Sequence, residues 1–382
     1  MKYKQEEGIL EYSNNGALFS VVCRIPYINK VAIAEENIGI AYFYSPYFQA
    51  ASKFFSLKIP IGENREEYWG MLYPICLFDE SNATVYDELR SFQKSMLLSA
   101  FLKFVEFAIS KGKVNPQDGA EFHYSDFSAS DSSYILIYDK SVFNDIDRVI
   151  VFLYNMGFYY VEDPFVQTSF YHSIYQRTFL HQLPKMLLIK FPSAVFQGFT
   201  YLDNMYKQLL PKVDSPFFRY LILYQIVEYL MEVKKNEIIY NNLNDFVSKP
   251  KNDIREDLQN SLKDERLIEY LYTGIPHTTG IFRDFCDKAK KLFENVGKEL
   301  PKVDNYIPYM YGVRNIIVHN FKTAINNENL VKELSEIFEK AIYELLLSVK
   351  IINTDNKSLF VWDQSLSYKE NKRLFYALYH GN

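Results

Sequence analysis

The sequence predicts an α+β chain: an N-terminal region of mixed strands and helices, followed by an all-helical bundle. Three observations predict it. Short apolar runs bounded by turn residues fill the first third of the 382 residues. From about Phe191 onward the apolar residues recur at helical spacing instead, and strand-like runs disappear. The length is enough for each half to bury its own core.

Taken in order, Ile9–Tyr12 and Ala17–Ile25 read as strands flanking Asn14-Asn15-Gly16, whose residues tolerate a positive φ. Further strands are expected at Val31–Ala34, Ile38–Tyr44 and Met71–Phe78, the last as an edge because it carries Pro74. A long helix follows within Thr84–Ser110, with Leu89, Phe92, Met96, Leu97, Ala100, Phe101, Phe104, Val105 and Ala108 on its apolar side and Gly112 ending it. Pro116–Ser133 reads as a polar loop. A strand at Tyr134–Tyr138, a helix at Val142–Met156 and a strand at Phe158–Val161 complete the region, which is assigned to residues 1–185. The irregular stretch from Glu162 to Pro192, with Pro164 and Pro184, marks the boundary.

Helices are then placed at Ser193–Leu210, Pro216–Lys235, Asp253–Tyr272, Thr279–Val296, Tyr306–Phe321 and Glu328–Lys350, a bundle over residues 191–350. The last carries one apolar stripe of Leu330, Val331, Leu334, Ile337, Phe338, Ala341, Ile342 and Leu345, with Glu333, Glu336, Glu339 and Lys340 outside it. Residues 351–382, with Trp362 and Phe375–Tyr379, form a tail that the pattern does not place.

Composition excludes several function classes. A formal net charge of −5 supplies no global basic field for packaging nucleic acid, although a brief enzymatic encounter needs none. The basic cluster Lys288, Lys290 and Lys291 reads as a solvated helix face. With 32 Tyr and 31 Phe, the chain carries more amphipathic surface than one core needs, which favours contact between domains or subunits. Cys23, Cys76 and Cys286 lie far apart and form no metal or disulfide spacing, so a reducing, cytoplasmic setting is expected. Met1–Glu7 is charged, and Met96–Ile109 is too short and too charged to span a bilayer, so no membrane role is expected. No phosphate-binding loop or metal-ligand pair is visible, so neither a cofactor nor a metal is implied. His123 with Asp126 and Asp131 reads as a surface loop, His172 and His181 near Tyr171 and Arg177 as linker packing, and Ser128–Ser133 shows no nucleophile pattern.

The chemistry concentrates in Tyr311-Gly312-Val313-Arg314-Asn315-Ile316-Ile317-Val318-His319-Asn320-Phe321. At about 100° per residue, Asn315 and His319 fall roughly 100° and 140° from Arg314, while Tyr309, Met310, Val313, Ile316, Ile317 and Phe321 share the opposite, apolar arc. These three polar groups suit cleavage of an RNA phosphodiester. The ribose 2′-hydroxyl is a built-in nucleophile, so the protein must move a proton and neutralise charge on the phosphorane. An imidazole titrates near neutrality and can act as base or acid. A guanidinium binds two phosphate oxygens while staying charged, and an amide orients the reacting groups. On spacing alone, a structural histidine on an ordinary helix is the commoner outcome.

Arg314-Asn315-Ile316-Ile317-Val318-His319 resembles the signature of the HEPN superfamily: Arg, a polar residue often Asn, three further residues and His, on a late helix of a helical bundle. Phe217–Leu230 is similar to the family's first core helix, an aromatic-rich run carrying one acidic residue, here Glu228. That helix is apolar on nearly every face, so Gln225 and Glu228 are expected to be buried or half-buried. Glu228 is then paired either with Arg314 or with a rim lysine such as Lys235.

The resemblance covers about residues 191–350. It implies a metal-independent endoribonuclease, active as a homodimer through this domain, with Arg314, Asn315 and His319 catalytic and Glu228 and Gln225 supporting. It also implies a setting among toxins, abortive infection and anti-phage defence, with residues 1–185 or a protein or phage trigger regulating an RNA-cleaving effector. In members controlled by a partner nucleotidyltransferase, Tyr follows two residues after the His; Phe321 stands there and has no hydroxyl to modify. The competing expectation is a non-catalytic interaction or RNA-binding module within a multi-protein system.

Overall fold

The computed structural model describes residues 2–4, 9–14, 17–22, 35–47, 53–61, 65–78, 89–113, 119–127, 132–166, 170, 184–191, 200–245, 260–273, 275, 280–302 and 305–348. The expected strand Val31–Ala34, the turn at Asn15-Gly16, Cys23, Ser128, Ser130 and Asp131, the Tyr171–His181 cluster and the tail after Lys350 lie outside them. The chain contains both helices and sheets and divides into two compact units. One comprises Met1–Pro192 with Phe196–Ile222, the other Ser193–Val195 with Leu223–Asn382. The division therefore falls later than the boundary read from the sequence.

The first unit holds two sheets. Strands β1 (Lys2–Lys4), β2 (Ile9–Asn14), β3 (Ala17–Val22) and β7 (Glu121–Phe122) lie in that order, with β2 and β3 antiparallel as expected. The larger sheet runs β10 (Met186–Leu188), β5 (Phe55–Ile61), β6 (Arg65–Pro74), β8 (Ser133–Asp139), β4 (Ile38–Tyr44) and β9 (Tyr159–Val161). The Pro74 strand is thus not an edge. It pairs on both sides, and Pro74 is tolerated because it is the strand's last residue, before a 3₁₀ turn at Ile75–Phe78.

Helix α1 (Ser91–Ser110) packs its Leu97, Ala100, Phe101, Phe104, Val105 and Ala108 against Met71, Tyr73, Ile135 and Ile137. It starts later than the sequence pattern suggested, so Phe92 lies in its first turn, partly in water. Gly112, at φ 65°, follows its C-terminus as expected.

The register between β5 and β6 shifts at Leu57/Lys58, leaving Trp69 as the extra residue between Gly70 and Tyr68. Because side chains alternate faces, one extra residue reverses the parity of everything beyond it. Met71 and Tyr73 face α1, Trp69 turns to the opposite face against Tyr138, and Tyr68 comes back to the α1 side beside Phe92. The unit is completed by α2 (Ile146–Asn155), capped by Asp145, and by α3 (Thr200–Asn204) running into a π-helical turn at Met205–Leu209. Helix α4 (Pro216–Asp245) begins here.

Among its described residues the second unit is entirely helical: the rest of α4, α5 (Asp264–Leu271), α6 (Ile281–Asn295), α7 (Tyr306–His319), α8 (Phe321–Ala324) and α9 (Glu328–Ser348). Helix α7 packs on α5 and α6, and α9 packs on α6. Tyr306 sits in a buried aromatic cluster with Tyr272, Phe282 and Phe285, and Phe285 also meets Phe338 of α9. The expected stripe of α9 is buried apart from the half-buried Leu330. Glu336 and Glu339, expected outside it, are buried too. They lie near the half-buried ammonium of Lys340, whose pKa burial lowers while Glu336, Glu339 and Asp284 pull it back up. Lys288, from the cluster read as a solvated face, pairs with Glu333.

Candidate functional site

The candidate site is carried by α7 and α4. Asn305 opens α7 by accepting a hydrogen bond from the Ile307 N–H at 3.0 Å. From there one arc of the helix seals into the core: Tyr306, Tyr309, Met310, Val313, Ile316 and Ile317 are all buried. Gly312 allows the close approach of α6. A Cβ built there would stand 2.2 Å from the Phe293 ring, which itself meets the Tyr309 ring edge-on at 5.7 Å. These contacts fix the rotation of α7, and with it the direction of the remaining arc.

Arg314 and Asn315 stand half-buried on that arc, and His319 ends the helix in solvent. Arg314 donates from Nη1 to Asn315 Oδ1 at 3.2 Å. Its Nη2 faces Glu228 Oε1 across 3.8 Å, and its guanidinium carbon lies 5.8 Å from the centre of the Tyr224 ring. Arg314 is therefore oriented by an amide, a carboxylate and an aromatic face at once. The ion pair is long and its carboxylate is 48% exposed, so it serves to aim the guanidinium and contributes at most about 1 kcal/mol of stability.

Two expectations need correction. Gln225 and Glu228 are exposed, not buried. The run is apolar almost throughout, but one arc of Leu223, Tyr224, Ile226, Val227 and Leu230 takes the burial, and Phe218 is left 66% exposed. Of the two partners considered for Glu228, Arg314 is the one it faces. Phe321, assigned to the apolar arc of the signature helix, is 47% exposed. The helical wheel does not extend to it, because Asn320 leaves helical geometry (φ −124°, ψ 34°) and starts α8 in a new direction.

The fold brings Arg314, Asn315 and Glu228 together. His319 follows Asn315 by one turn of the same helix, and among the described residues it makes neither a hydrogen bond nor an ion pair. Close to His319 in the sequence, Val318, Phe321 and Ile325 leave large apolar side chains in water. Tyr224 was missed by the sequence reading. Its phenol pKa is raised by burial and by Glu228, against the opposing effect of Arg314. The available signal was its place one helical turn before Glu228.

The histidine elsewhere in the described residues behaves as a surface group. The backbone N–H of exposed His123 donates to Asp126 Oδ2 at 2.7 Å, and its ring Nε2 lies 3.5 Å from Glu121. Among the described residues, no group of three or more His, Cys, Asp or Glu could hold a metal ion, and no helix is long and apolar enough to cross a membrane. No family model matches the chain, no curated protein is significantly similar to it, and no solved structure matches it.

Proposed function

We propose that the helical unit is an endoribonuclease of the HEPN type, which uses the RNA 2′-hydroxyl as nucleophile and requires no metal for any step. The observation that carries this reading is the oriented Arg314: a guanidinium held by Asn315, Glu228 and Tyr224 on the open arc of an otherwise buried helix. A surface arginine with no task would not need three separate restraints.

In this reading Arg314 neutralises the non-bridging phosphate oxygens as negative charge accumulates on the phosphorane. Asn315 orients the phosphate or the attacking hydroxyl. His319 accepts the 2′-hydroxyl proton or protonates the leaving 5′-oxygen, and the products carry a 2′,3′-cyclic phosphate and a free 5′-hydroxyl. His319 is exposed and makes no hydrogen bond or ion pair with Arg314, and the exposed apolar Val318, Phe321 and Ile325 on either side of it in the chain fit a second copy that brings its own signature helix to the same phosphodiester. By the resemblance, such an activity belongs to a restrained effector in anti-phage defence.

The test is cleavage of a fluorophore-quencher single-stranded RNA. Arg314→Ala and His319→Ala should each lose about 10²–10⁴ in rate, and a fully 2′-O-methylated substrate should resist the wild type. Cleavage that persists in the doubly substituted protein, freed of contaminating nuclease, overturns the reading.

A second reading has its own observation. The exposed apolar group of Val318, Phe321 and Ile325 also suits a non-catalytic module that docks a partner protein. It predicts a wild-type chain inert on RNA whose complex formation is weakened by Phe321→Ser.

A further inference from the structure

We propose that the first unit binds a nucleoside phosphate in the cleft where the start of α1 meets β10, β5 and β6, with Arg90 and Lys185 on the phosphate and Tyr68 and Phe92 against the base. This goes beyond the nuclease reading and stands whether or not the helical unit cleaves RNA.

The cleft has a volume of about 420 Å³ and is lined by Phe54, Ser56, Tyr68, Arg90, Phe92, Gln93, Lys185 and Met186. That lies within the range of small-molecule sites, roughly 300–1,000 Å³. Its charge is one-sided: the lining has two cations and no carboxylate, in a chain where acidic residues outnumber basic ones by 47 to 42. An anion is therefore the complementary occupant.

The aromatic surface is equally marked. Tyr68 and Phe92 are 43% and 37% exposed, with ring centres 6.3 Å apart and planes tilted by 55°, and the Lys58 ammonium lies 5.1 Å from the Tyr68 ring centre. A purine or pyrimidine ring can stack there, as bases do on aromatic platforms elsewhere. Tyr68 reaches this side only because of the extra residue at Trp69; a regular β6 would put the indole here and the phenol on the far face.

The floor is built, not incidental. Gln93 receives the Arg90 backbone N–H at 2.9 Å on Oε1 and donates from Nε2 to Ser56 Oγ at 3.2 Å, which ties the helix start to β5. Its backbone carbonyl accepts from Tyr73 at 2.7 Å. With one donor and one acceptor position of its amide still open, Gln93 presents the mixed pattern that a base edge or ribose offers in return. Lys185 is positioned through its carbonyl, which accepts from Ser56 N–H at 2.9 Å, and its ammonium lies 5.6 Å from the Phe54 ring centre. No carboxylate among the described residues pairs with Arg90. Phosphate on Arg90 and Lys185, with a ring on Tyr68 and Phe92, uses both cations and both exposed aromatic rings of the cleft.

The experiment is calorimetric titration of the full chain at about 0.1 M salt with each of the four 5′-ribonucleoside monophosphates, the parent nucleosides and inorganic phosphate. At least one nucleotide should bind with a Kd below about 1 mM, and its nucleoside and inorganic phosphate should each bind at least about tenfold more weakly. Arg90→Gln, Lys185→Gln and Phe92→Ser should each weaken binding by about fivefold or more, with unchanged melting temperatures because all three side chains are exposed. The proposal is overturned by any of four results: no nucleotide binding, phosphate binding as tightly as the nucleotide, Arg90→Gln and Lys185→Gln both leaving the affinity unchanged, or binding of a short RNA by the His319→Ala protein without binding of any mononucleotide.

Discussion

Arg314 gains its direction from neighbours that are weak one by one. A 3.8 Å ion pair to an exposed carboxylate, a 3.2 Å hydrogen bond to the adjacent amide and an aromatic face at 5.8 Å each restrict it slightly; together they limit the directions the guanidinium can take. In the proposed nuclease reading Glu228 is thus a positioning residue, and its removal should act on chemistry more than on folding. Glu228→Gln should lower kcat for RNA cleavage about three- to tenfold with little change in KM, while melting moves by less than about 0.5 kcal/mol equivalent. A variant with wild-type kcat would show that the carboxylate does not aim Arg314. At this scale the sequence was informative about which residues matter, since the Arg314 to His319 spacing and the acidic position in an aromatic run could both be read directly. It was less informative about exposure. An almost wholly apolar helix can bury only the arc that meets neighbours, so Glu228 and Gln225 stayed in water, and Tyr224 looked like one more core aromatic until its place under Arg314 was known.

At the scale of elements, α7 is fixed from both ends: the Asn305 cap sets its start and the break at Asn320 sets its stop. Between them Gly312 sets its distance from α6. Gly312→Ala would add a methyl 2.2 Å from a Phe293 ring that is itself packed on Tyr309. The strain should outweigh the helix propensity gained, for a net loss of about 1–2 kcal/mol in a denaturant melt. Phe293→Leu, which makes room, should reduce that loss in the double variant. A more stable Gly312→Ala protein would mean that the two helices do not pack at this distance. Helices α6, α7 and α9 were legible because their apolar residues follow the helical repeat over several turns. Strand β5 was missed although Phe55, Leu57, Ile59 and Ile61 alternate with Ser56, Lys58 and Pro60 in the period of a half-buried strand; Pro60 within the run counts against a strand paired on both sides, which β5 is. β10 is only three residues long, Met186–Leu188, with two of them exposed, and is held by parallel pairing to β5, a long-range fact that no local pattern carries. Burial of Glu336 and Glu339 escaped for a related reason, because it depends on charged neighbours on other turns and helices.

For the molecule as a whole, the division into two compact units matters more than the net charge, because a response to conditions can originate in one unit alone. The first unit contains such a group. Asp203, half-buried at the end of α3, has its carboxyl pKa raised to about 6, chiefly by burial, then by Asp147, with Lys207 opposing and Asp145 and a hydrogen bond to Asp147 adding to the rise. Lys207 meanwhile pairs with Asp147 at 2.5 Å. The folded chain therefore holds a proton on Asp203 at pH values where the unfolded chain has released it. Its contribution to stability is complete below the ordinary carboxylate pKa, near 4, and is lost as pH rises through about 6. Asp203→Asn, which cannot ionise, should flatten this part of the pH profile and stabilise the protein at pH 7 by no more than about 1 kcal/mol, since solvent screens a half-exposed carboxyl. Differential scanning calorimetry of both proteins from pH 4 to pH 7.5 measures this directly. Parallel profiles would show that Asp203 titrates alike in the folded and unfolded chain. Because Asp203 lies in the first unit and Arg314 in the second, the RNA cleavage we propose should keep its wild-type dependence on pH in Asp203→Asn at a temperature well below melting. A shift in that dependence would mean that protonation in one unit is felt by the chemistry of the other.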